Sequence, residues 1–209
     1  ASRPRCVDGM ARGVLPPWPP LFLPRARGPA LGDADLILVI GVPLDFRLNF
    51  GQPPVFAEGA KLVVIDVDDS RRHRGGEVEI YGDLKSALAA LASAAAGAPK
   101  REPWLGKLRE AEIASRLRDA LMTESDSAPI HPARLIAEVE RFSDPDAIFI
   151  GDGGAFVSFA GRLLERPRPG LWINPGPYGC PGSGPAYRRA ANLSHPGPPG
   201  IPHSRAGSL

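Results

Sequence analysis

The chain has 209 residues, of which 43% are hydrophobic and 23% are charged, with a formal net charge of +2. The hydrophobic content argues against a disordered chain, and the small net charge gives no electrostatic basis for binding nucleic acid or a membrane surface. No apolar run reaches the ~20 residues that cross a bilayer, and the N-terminus lacks a secretory signal pattern. We therefore expect a cytoplasmic protein in which Cys6 and Cys180 are reduced thiols.

The N-terminal segment 1–30 is rich in proline and arginine, as in GVLPPWPPLFLPRARGPAL. Because each proline removes a hydrogen-bond donor and fixes φ, this segment predicts a surface connection and not a regular helix. Unbroken apolar runs follow in ADLILVIG at 34–41 and AKLVVIDVD at 60–68. Such runs are typical of parallel strands that are covered on both faces. The basic run RRHR at 71–74 predicts a solvated loop.

A short third strand is predicted in VEIYGD at 78–83, followed by the helix DLKSALAALASAAA with Asp83 as its cap. These elements predict an α/β domain over residues 1–96. A linker, AGAPKREP, precedes a charged helix at 104–122. On that helix we expect one apolar stripe, formed by Trp104, Leu108, Leu117 and Leu121.

A second βα unit begins after the helix HPARLIAEVERF, in which Pro132 suits the first turn. The strand AIFIG stops at Gly151-Asp152-Gly153-Gly154, and the helix AFVSFAGRLLE follows. Glycines let the backbone turn sharply and let a ligand approach, and a helix start offers unpaired N–H groups to an anion. The junction therefore suits a phosphate group or is only a tight turn, and the motif itself leaves both interpretations open.

Proline and glycine dominate after this unit: the segment 174–202 contains eight prolines and six glycines. We expect no strand or helix after about residue 193, and a disordered tail over 194–209, because this segment has no apolar periodicity. The four histidines, at 73, 131, 195 and 203, show no metal-ligand spacing.

Two segments carry a resemblance to a known family. RGPALGDADLILVIGVPLDFRLNFGQPP, continued by AKLVVIDVD and VEIYGDLKSAL, resembles the central domain of thiamine diphosphate (ThDP)-dependent enzymes of the acetolactate synthase type. HPARLIAEVERFSDPDAIFIGDGGAFVSFAGRLL with WINPGPYGCPGSGPAYRRAANL resembles the start of their diphosphate-binding domain. The resemblance covers about residues 7–193. It implies an α/β fold in which a Rossmann-like central domain with a parallel sheet precedes an incomplete ThDP-binding domain. The implied divisions are 1–96 central domain, 97–130 linker and helix, 131–193 diphosphate-binding start, and 194–209 tail.

The resemblance implies a ThDP- and Mg²⁺-dependent carbon–carbon lyase or ligase acting on 2-keto acids or 2-hydroxyacyl substrates. It places Gly154, Ala155 and Phe156 along the diphosphate, and Gly179, Cys180, Pro181 and Gly182 against the aminopyrimidine. Pro181 departs from the family there, because proline lacks the N–H donor. Acetolactate synthases bind FAD in the central domain, and relatives bind ADP or nothing. The matching positions are Gly41, Asp45, Arg47, Asp66, Asp68 and Asp83.

A structural interpretation of the central-domain positions stays open. Asp45 and Arg47 can form a local surface ion pair, and the aspartates can be turn residues. Likewise Cys180 can be a small loop residue without reactivity.

The departures from the family lead to an expectation of inactivity. The first strand and helix of the central domain are missing from the match, as are the pyrimidine domain with its catalytic glutamate and the metal-binding GDG…N motif. We therefore expect a chain truncated at both ends or frameshifted, with no catalytic and no metal-binding residues of its own. The intact enzyme is expected to act on a small molecule as a homo-oligomer, without nucleic acid or membrane partners.

Two other functions stay open at this point. ADLILVIG also fits a sirtuin-like NAD-binding fragment, although the isolated cysteines lack the paired zinc-ligand spacing of that class. The chain can also be a non-catalytic remnant or an interaction module.

Overall fold

A computed structural model describes the chain except at residues 1–3, 8, 16–19, 70–75, 98, 100, 177–178, 195–200 and 204–209. The predicted solvated loop at 71–74 lies outside the described residues. The chain divides into two compact units. Unit 1 comprises Ala1–Arg5 and Leu23–Glu112, and unit 2 comprises Cys6–Phe22 and Ile113–Leu209. This division differs from the predicted one, because Cys6–Phe22 joins the second unit and the boundary falls inside a helix.

Unit 1 contains a parallel sheet in the order β1-β2-β3. Its strands are β1 (Leu36–Ile40), β2 (Lys61–Asp66) and β3 (Val78–Tyr81). All three predicted strands are therefore present, and the α/β class with parallel sheets is confirmed. Helix α1 (Arg27–Asp33) precedes the sheet, and α2 (Leu84–Ala94) follows it. As predicted, Asp83 caps α2: its carboxylate accepts a hydrogen bond from the Ser86 N–H at 2.7 Å.

The predicted cover on both faces of the sheet is wrong for β1. Ile37 and Val39 are buried, whereas the intervening Leu36 and Leu38 are 42% and 39% exposed. Successive side chains of a strand point to opposite faces, so only one face of β1 meets the core. That core contains Ala34, Ile37, Val39, Leu44, Leu48, Phe56 and Leu62.

The prediction of a helix-free surface connection over 1–30 is also wrong at its end. A short 3₁₀ turn, Pro24–Ala26, leads directly into α1, and Leu23, Ala26 and Ala30 are buried. Proline is tolerated at the start of a helix, where its missing N–H would have no partner. The Glu112 carboxylate accepts hydrogen bonds from the Arg25 and Ala26 N–H groups at 2.7 and 3.0 Å.

Unit 2 contains a second parallel sheet, in the order β5-β4-β6. Its elements are α4 (Pro132–Phe142), β4 (Phe149–Gly151), α5 (Gly154–Leu163), β5 (Trp172–Ile173), α6 (Gly184–Ser194) and β6 (Ile201–His203). Its main core joins β4 and β5 to the inner faces of α4 and α5. The buried members are Ile136, Ala147, Phe149, Ala160, Leu164 and Trp172.

The predicted disordered tail is wrong at Ile201–His203, which forms β6 and pairs in parallel with β4. Pro202 is compatible with this strand because β6 pairs on one side only in the described sheet, and proline is confined to such edge positions. Ser194 is also ordered, as the last residue of α6. The remainder of the predicted tail, 195–200 and 204–209, lies outside the described residues.

The charged helix is α3 (Glu102–Thr123), close to its predicted bounds. The predicted apolar stripe is wrong: Leu108 is buried, but Leu117 and Leu121 are 63% and 76% exposed. In the unit 2 part of α3, the buried residues are Ser115 and Asp119. Both bind Arg162 of α5, whose Nε lies 2.6 Å from Asp119 Oδ1 and whose Nη2 lies 3.0 Å from Ser115 Oγ. Because Arg162 binds Asp119 and Ser115, this part of α3 packs against α5 through polar side chains and not through the predicted leucines.

Candidate functional site

The GDGG turn, residues 151–154, joins the end of β4 to the start of α5. Gly153 has φ +99° and Gly154 has φ +74°, values that L side chains rarely adopt. Gly153 occupies the N-cap position of α5, where it has no side chain to bind the first N–H groups. Ala155, in the first turn, is exposed. The turn therefore presents the start of a ten-residue helix with an accessible backbone.

The second predicted half-site is the Pro/Gly loop, defined as Gly179–Ser183. It lies directly against the GDGG turn: a Cβ added to Gly153 would stand 3.3 Å from Gly179 O and 3.8 Å from Pro181 Cγ. The structure thus brings together two segments that are distant from each other in the sequence. Cys180 is exposed and is a free cysteine.

Asp152 holds the two segments together. Its side chain is completely buried, and its oxygens accept hydrogen bonds from Gly182 N at 3.1 Å and Ser183 Oγ at 2.8 Å. Burial raises the pKa of Asp152, but hydrogen bonds from the Ser183 hydroxyl and from the N–H groups of Gly184, Gly182 and Ser183 outweigh it, so the pKa lies below its usual value. The carboxylate therefore caps the start of α6 from a distant part of the chain.

Sequence reasoning missed this role of Asp152 and Ser183. The available signal was weak: an aspartate after a buried strand, and a Ser-Gly pair before a helix. Glycine also fits the opposite side closely, because a Cβ on Gly184 would stand 3.1 Å from the Asp152 carboxyl group, tighter than an ordinary contact.

The site fits a diphosphate better than it fits a metal ion. An anion can approach the start of α5, because Gly153 offers no capping side chain and the first-turn residues Gly154 and Ala155 are exposed. Both Asp152 oxygens, by contrast, already accept hydrogen bonds from the chain. Among the residues that the structure describes, no group of three or more His, Cys, Asp or Glu side chains could hold a metal ion. The described residues therefore do not fit Mg²⁺.

The predicted nucleotide-side residues gather at the carboxyl edge of the unit 1 sheet. Gly41 follows β1, Asp66 ends β2 and Asp83 follows β3, and in parallel sheets this edge is where ligands bind. Of the other three, Asp45 and Arg47 lie in the loop after β1, and Asp68 lies two residues after the end of β2.

Like Asp83, which binds Ser86, the carboxylates Asp45 and Asp66 have local partners. Asp45 Oδ2 lies 2.8 Å from Arg47 Nη2, and Asp45 Oδ1 accepts from Arg47 N at 2.9 Å. Asp66 Oδ1 accepts from the N–H groups of Val67 and Asp68 at 2.7 and 3.3 Å. The geometry matches the local ion pair and turn residues that the sequence left open.

The sequence is similar to that of known enzymes. Residues 4–91 match the family model "Thiamine pyrophosphate enzyme, central domain". Over 195 residues, or 92% of the chain, the protein is 42% identical to the acetolactate synthase large subunit IlvG of Mycobacterium tuberculosis and to a probable acetolactate synthase of Mycobacterium bovis. Residues 4–91 thus match the central domain of the thiamine pyrophosphate enzymes, and the similarity to acetolactate synthases extends over most of the chain.

A lyase is similar over the same share of the chain. The protein is 30% identical to a 2-hydroxyacyl-CoA lyase 2 of Danio rerio over 200 residues. It spans about a third of the length of these curated relatives, 35% of the mycobacterial proteins and 32% of the zebrafish protein. The predicted resemblance is confirmed, and the sirtuin-like alternative has no support in these matches. No helix in the described part of the chain is long and apolar enough to cross a bilayer.

Proposed function

We propose that the chain is part of a ThDP-dependent enzyme that forms or cleaves a carbon–carbon bond next to the carbonyl of a 2-keto acid or a 2-hydroxyacyl group. The names of its relatives, acetolactate synthase and 2-hydroxyacyl-CoA lyase 2, support this substrate class. The observation that carries the proposal is the junction of the GDGG turn with the Pro/Gly loop, held by Asp152 beside the open start of α5. ThDP, when bound, supplies the thiazolium ring that accepts the electrons of the cleaved bond.

In this proposal the chain contributes binding and orientation. The N–H groups of Ala155 and Phe156 bind the diphosphate, and Gly153 and Gly154 allow the close approach. Asp152 and Ser183 hold the Pro/Gly loop where its backbone can contact the aminopyrimidine. Pro181 in that loop can supply a carbonyl and ring contacts but no N–H.

The strength of this half-site is limited. A helix start contributes about 0.3–1 kcal/mol for each favourable charge contact, whereas micromolar affinity needs about −8 kcal/mol. Because the described residues do not fit Mg²⁺, we propose that the 209 residues on their own bind ThDP more weakly than micromolar and show no carboligase or decarboxylase activity.

A charge placed at the helix start tests the proposal. The substitution Ala155→Asp puts a carboxylate where the diphosphate would lie, and an acidic residue in the first turn stabilises a helix, so lost binding cannot be blamed on unfolding. We expect pyrophosphate and ThDP, titrated at millimolar concentrations, to shift the amide NMR signals of residues 153–157 in the wild type and in Ala155→Ser. The same signals should not shift in Ala155→Asp.

Two results would contradict the proposal. Equal shifts in Ala155→Ser and Ala155→Asp would show that the anion does not bind at this helix. Micromolar ThDP binding by the chain on its own would overturn the half-site interpretation.

Further parts of the proposal concern unit 1 and the cellular context. We propose FAD or ADP binding at its carboxyl edge, near Gly41, Asp45, Arg47 and Asp66, on the support of the edge position alone. A cytoplasmic location, a homo-oligomer and a small-molecule substrate are proposed for the whole enzyme on the basis of its similarity to acetolactate synthases.

A further inference from the structure

The N-terminal strap, defined as Cys6–Phe22, belongs to unit 2 although the chain enters and leaves it from unit 1. Its ends are tied together, since Leu23 N donates to Arg5 O at 3.1 Å. The family match treats this segment as part of the central domain, because it runs from residue 4 to residue 91. The central-domain match therefore does not explain why the strap packs in unit 2.

Contacts at Gly13 and Arg12 attach the strap to the rest of unit 2. The backbone at Gly13 lies against the backbone of Arg168 and Pro169, so closely that a Cβ on Gly13 would overlap the Arg168 carbonyl group. The Arg12 guanidinium lies over the Trp172 ring, 5.1 Å from its centroid. Arg12 also occupies the space beside Gly161 of α5, where an added Cβ would stand 3.1 Å from Arg12 Nη2.

Trp172 connects the strap to the GDGG turn. It is 2% exposed and pairs with Phe149 across the sheet. Its Cζ2 atom lies 3.3 Å from the position of a Cβ on Gly151, the first residue of the turn. The indole is thus in contact with both Arg12 and the start of the turn. Its Nε1 has no hydrogen-bond partner among the described residues, so packing and the cation–π contact set its position.

We propose that Arg12 is a positioning residue for the GDGG turn. It acts through the Trp172 indole, because it stabilises the contact of the indole with Gly151. The strap therefore affects the local stability of the turn. The consequence for diphosphate binding rests on the proposed function. The positioning itself does not, and it can be measured with no cofactor present.

Hydrogen exchange of the whole chain tests the proposal. Arg12→Gln removes the charge over the ring, and amides of residues 149–157 should exchange roughly 5- to 30-fold faster, the range expected for a buried cation–π contact. Arg12→Lys keeps a cation over the ring and should restore part of the protection. Arg101→Gln, in a largely exposed ion pair of unit 1, should change nothing at the turn.

A second pair of variants tests the docking of the strap without touching Arg12. Gly13 and Gly170 have nearly equal φ values, +83° and +84°, but nothing lies within 4 Å of a Cβ on Gly170. Gly13→Ala should therefore accelerate exchange at 149–157, and Gly170→Ala, which carries the same backbone strain, should not.

The outcomes separate positioning from general packing. Unchanged exchange at 149–157 in both Arg12→Gln and Gly13→Ala would overturn the proposal. So would a uniform acceleration across unit 2, because that would show a stabilising contact with no particular effect on the turn. If Gly13→Ala does not fold, the comparison of Arg12→Gln with Arg12→Lys decides the question.

Discussion

Aspartates that end or follow strands in the two sheets differ in how far along the chain their hydrogen-bond partners lie. In unit 1, Asp45 and Asp66 bind groups one or two positions away along the chain. In unit 2, Asp152 binds Gly182 and Ser183, which are 30 and 31 residues away. A hydrogen bond to a neighbour along the chain shapes a turn, whereas one to a distant residue joins two segments into one site. The contrast shows why strand-end aspartates in the same fold class cannot be assigned one role.

The largest expected effect comes from Asp152→Asn. The amide keeps one acceptor but loses the charge, and its NH₂ group faces donors, so we expect a loss of about 1–3 kcal/mol in the free energy of unfolding. Urea unfolding followed by circular dichroism measures it. Asp126→Asn is the matched control, because its side chain is 97% exposed and should change stability by less than about 0.5 kcal/mol. Equal small effects of the two substitutions would remove Asp152 as the link between the segments.

A smaller and more local effect is expected from Asp45→Asn. This substitution weakens the paired contacts to Arg47, and we expect a loss of about 1 kcal/mol, with faster hydrogen exchange confined to residues 41–52. Calorimetry with FAD and ADP on the same variant tests the proposed nucleotide side. Unchanged nucleotide affinity in the variant would exclude Asp45 from that site, and exchange effects beyond the loop would contradict its local role.

The smallest effect is a dependence on pH. Because the folded-state pKa of Asp152 is lowered, its contribution to stability is complete above the unfolded-state pKa of about 3.9 and is lost as the pH falls through the folded-state pKa. The stability difference between the wild type and Asp152→Asn should therefore shrink below about pH 4. Urea unfolding across the acidic range and up to neutral pH measures it. A difference that stays constant over this range would mean that the charge is not involved.

Sequence patterns predicted the helices and strands that are long enough to show an apolar run or a run of helix-forming residues. The strands β1 and β2 lie in apolar runs, α3 and α4 contain strong helix formers, and the Asp83 cap follows from local rules. The strands β5 and β6, with two and three residues, are too short for any periodicity, and they lie among prolines and glycines. These strands exist because β4 supplies backbone partners on both sides.

The candidate site was predicted in part for the same reason. The GDGG turn and the Pro/Gly loop each have a local signature, so both could be named before their contact was known. The Asp152–Ser183 bond and the Arg12–Trp172 contact join positions that share no local pattern, and the stripe on α3 was wrong because a distant residue, Arg162, selects the polar face. Pairings over long sequence separation are set by the tertiary fold and leave little trace in a single sequence.

The long sequence separation between Asp152 and Ser183 determines when the GDGG turn can form during synthesis. The turns of unit 1 can close as soon as their own residues are made, because donor and acceptor are neighbours. The GDGG turn has to wait for Ser183, 31 residues later, which at about 5–20 residues per second takes about 2–6 s on the ribosome. During that interval the buried end of β4 has no partner for its carboxylate. A nascent chain halted before Ser183 should therefore carry a folded first sheet and an open second turn.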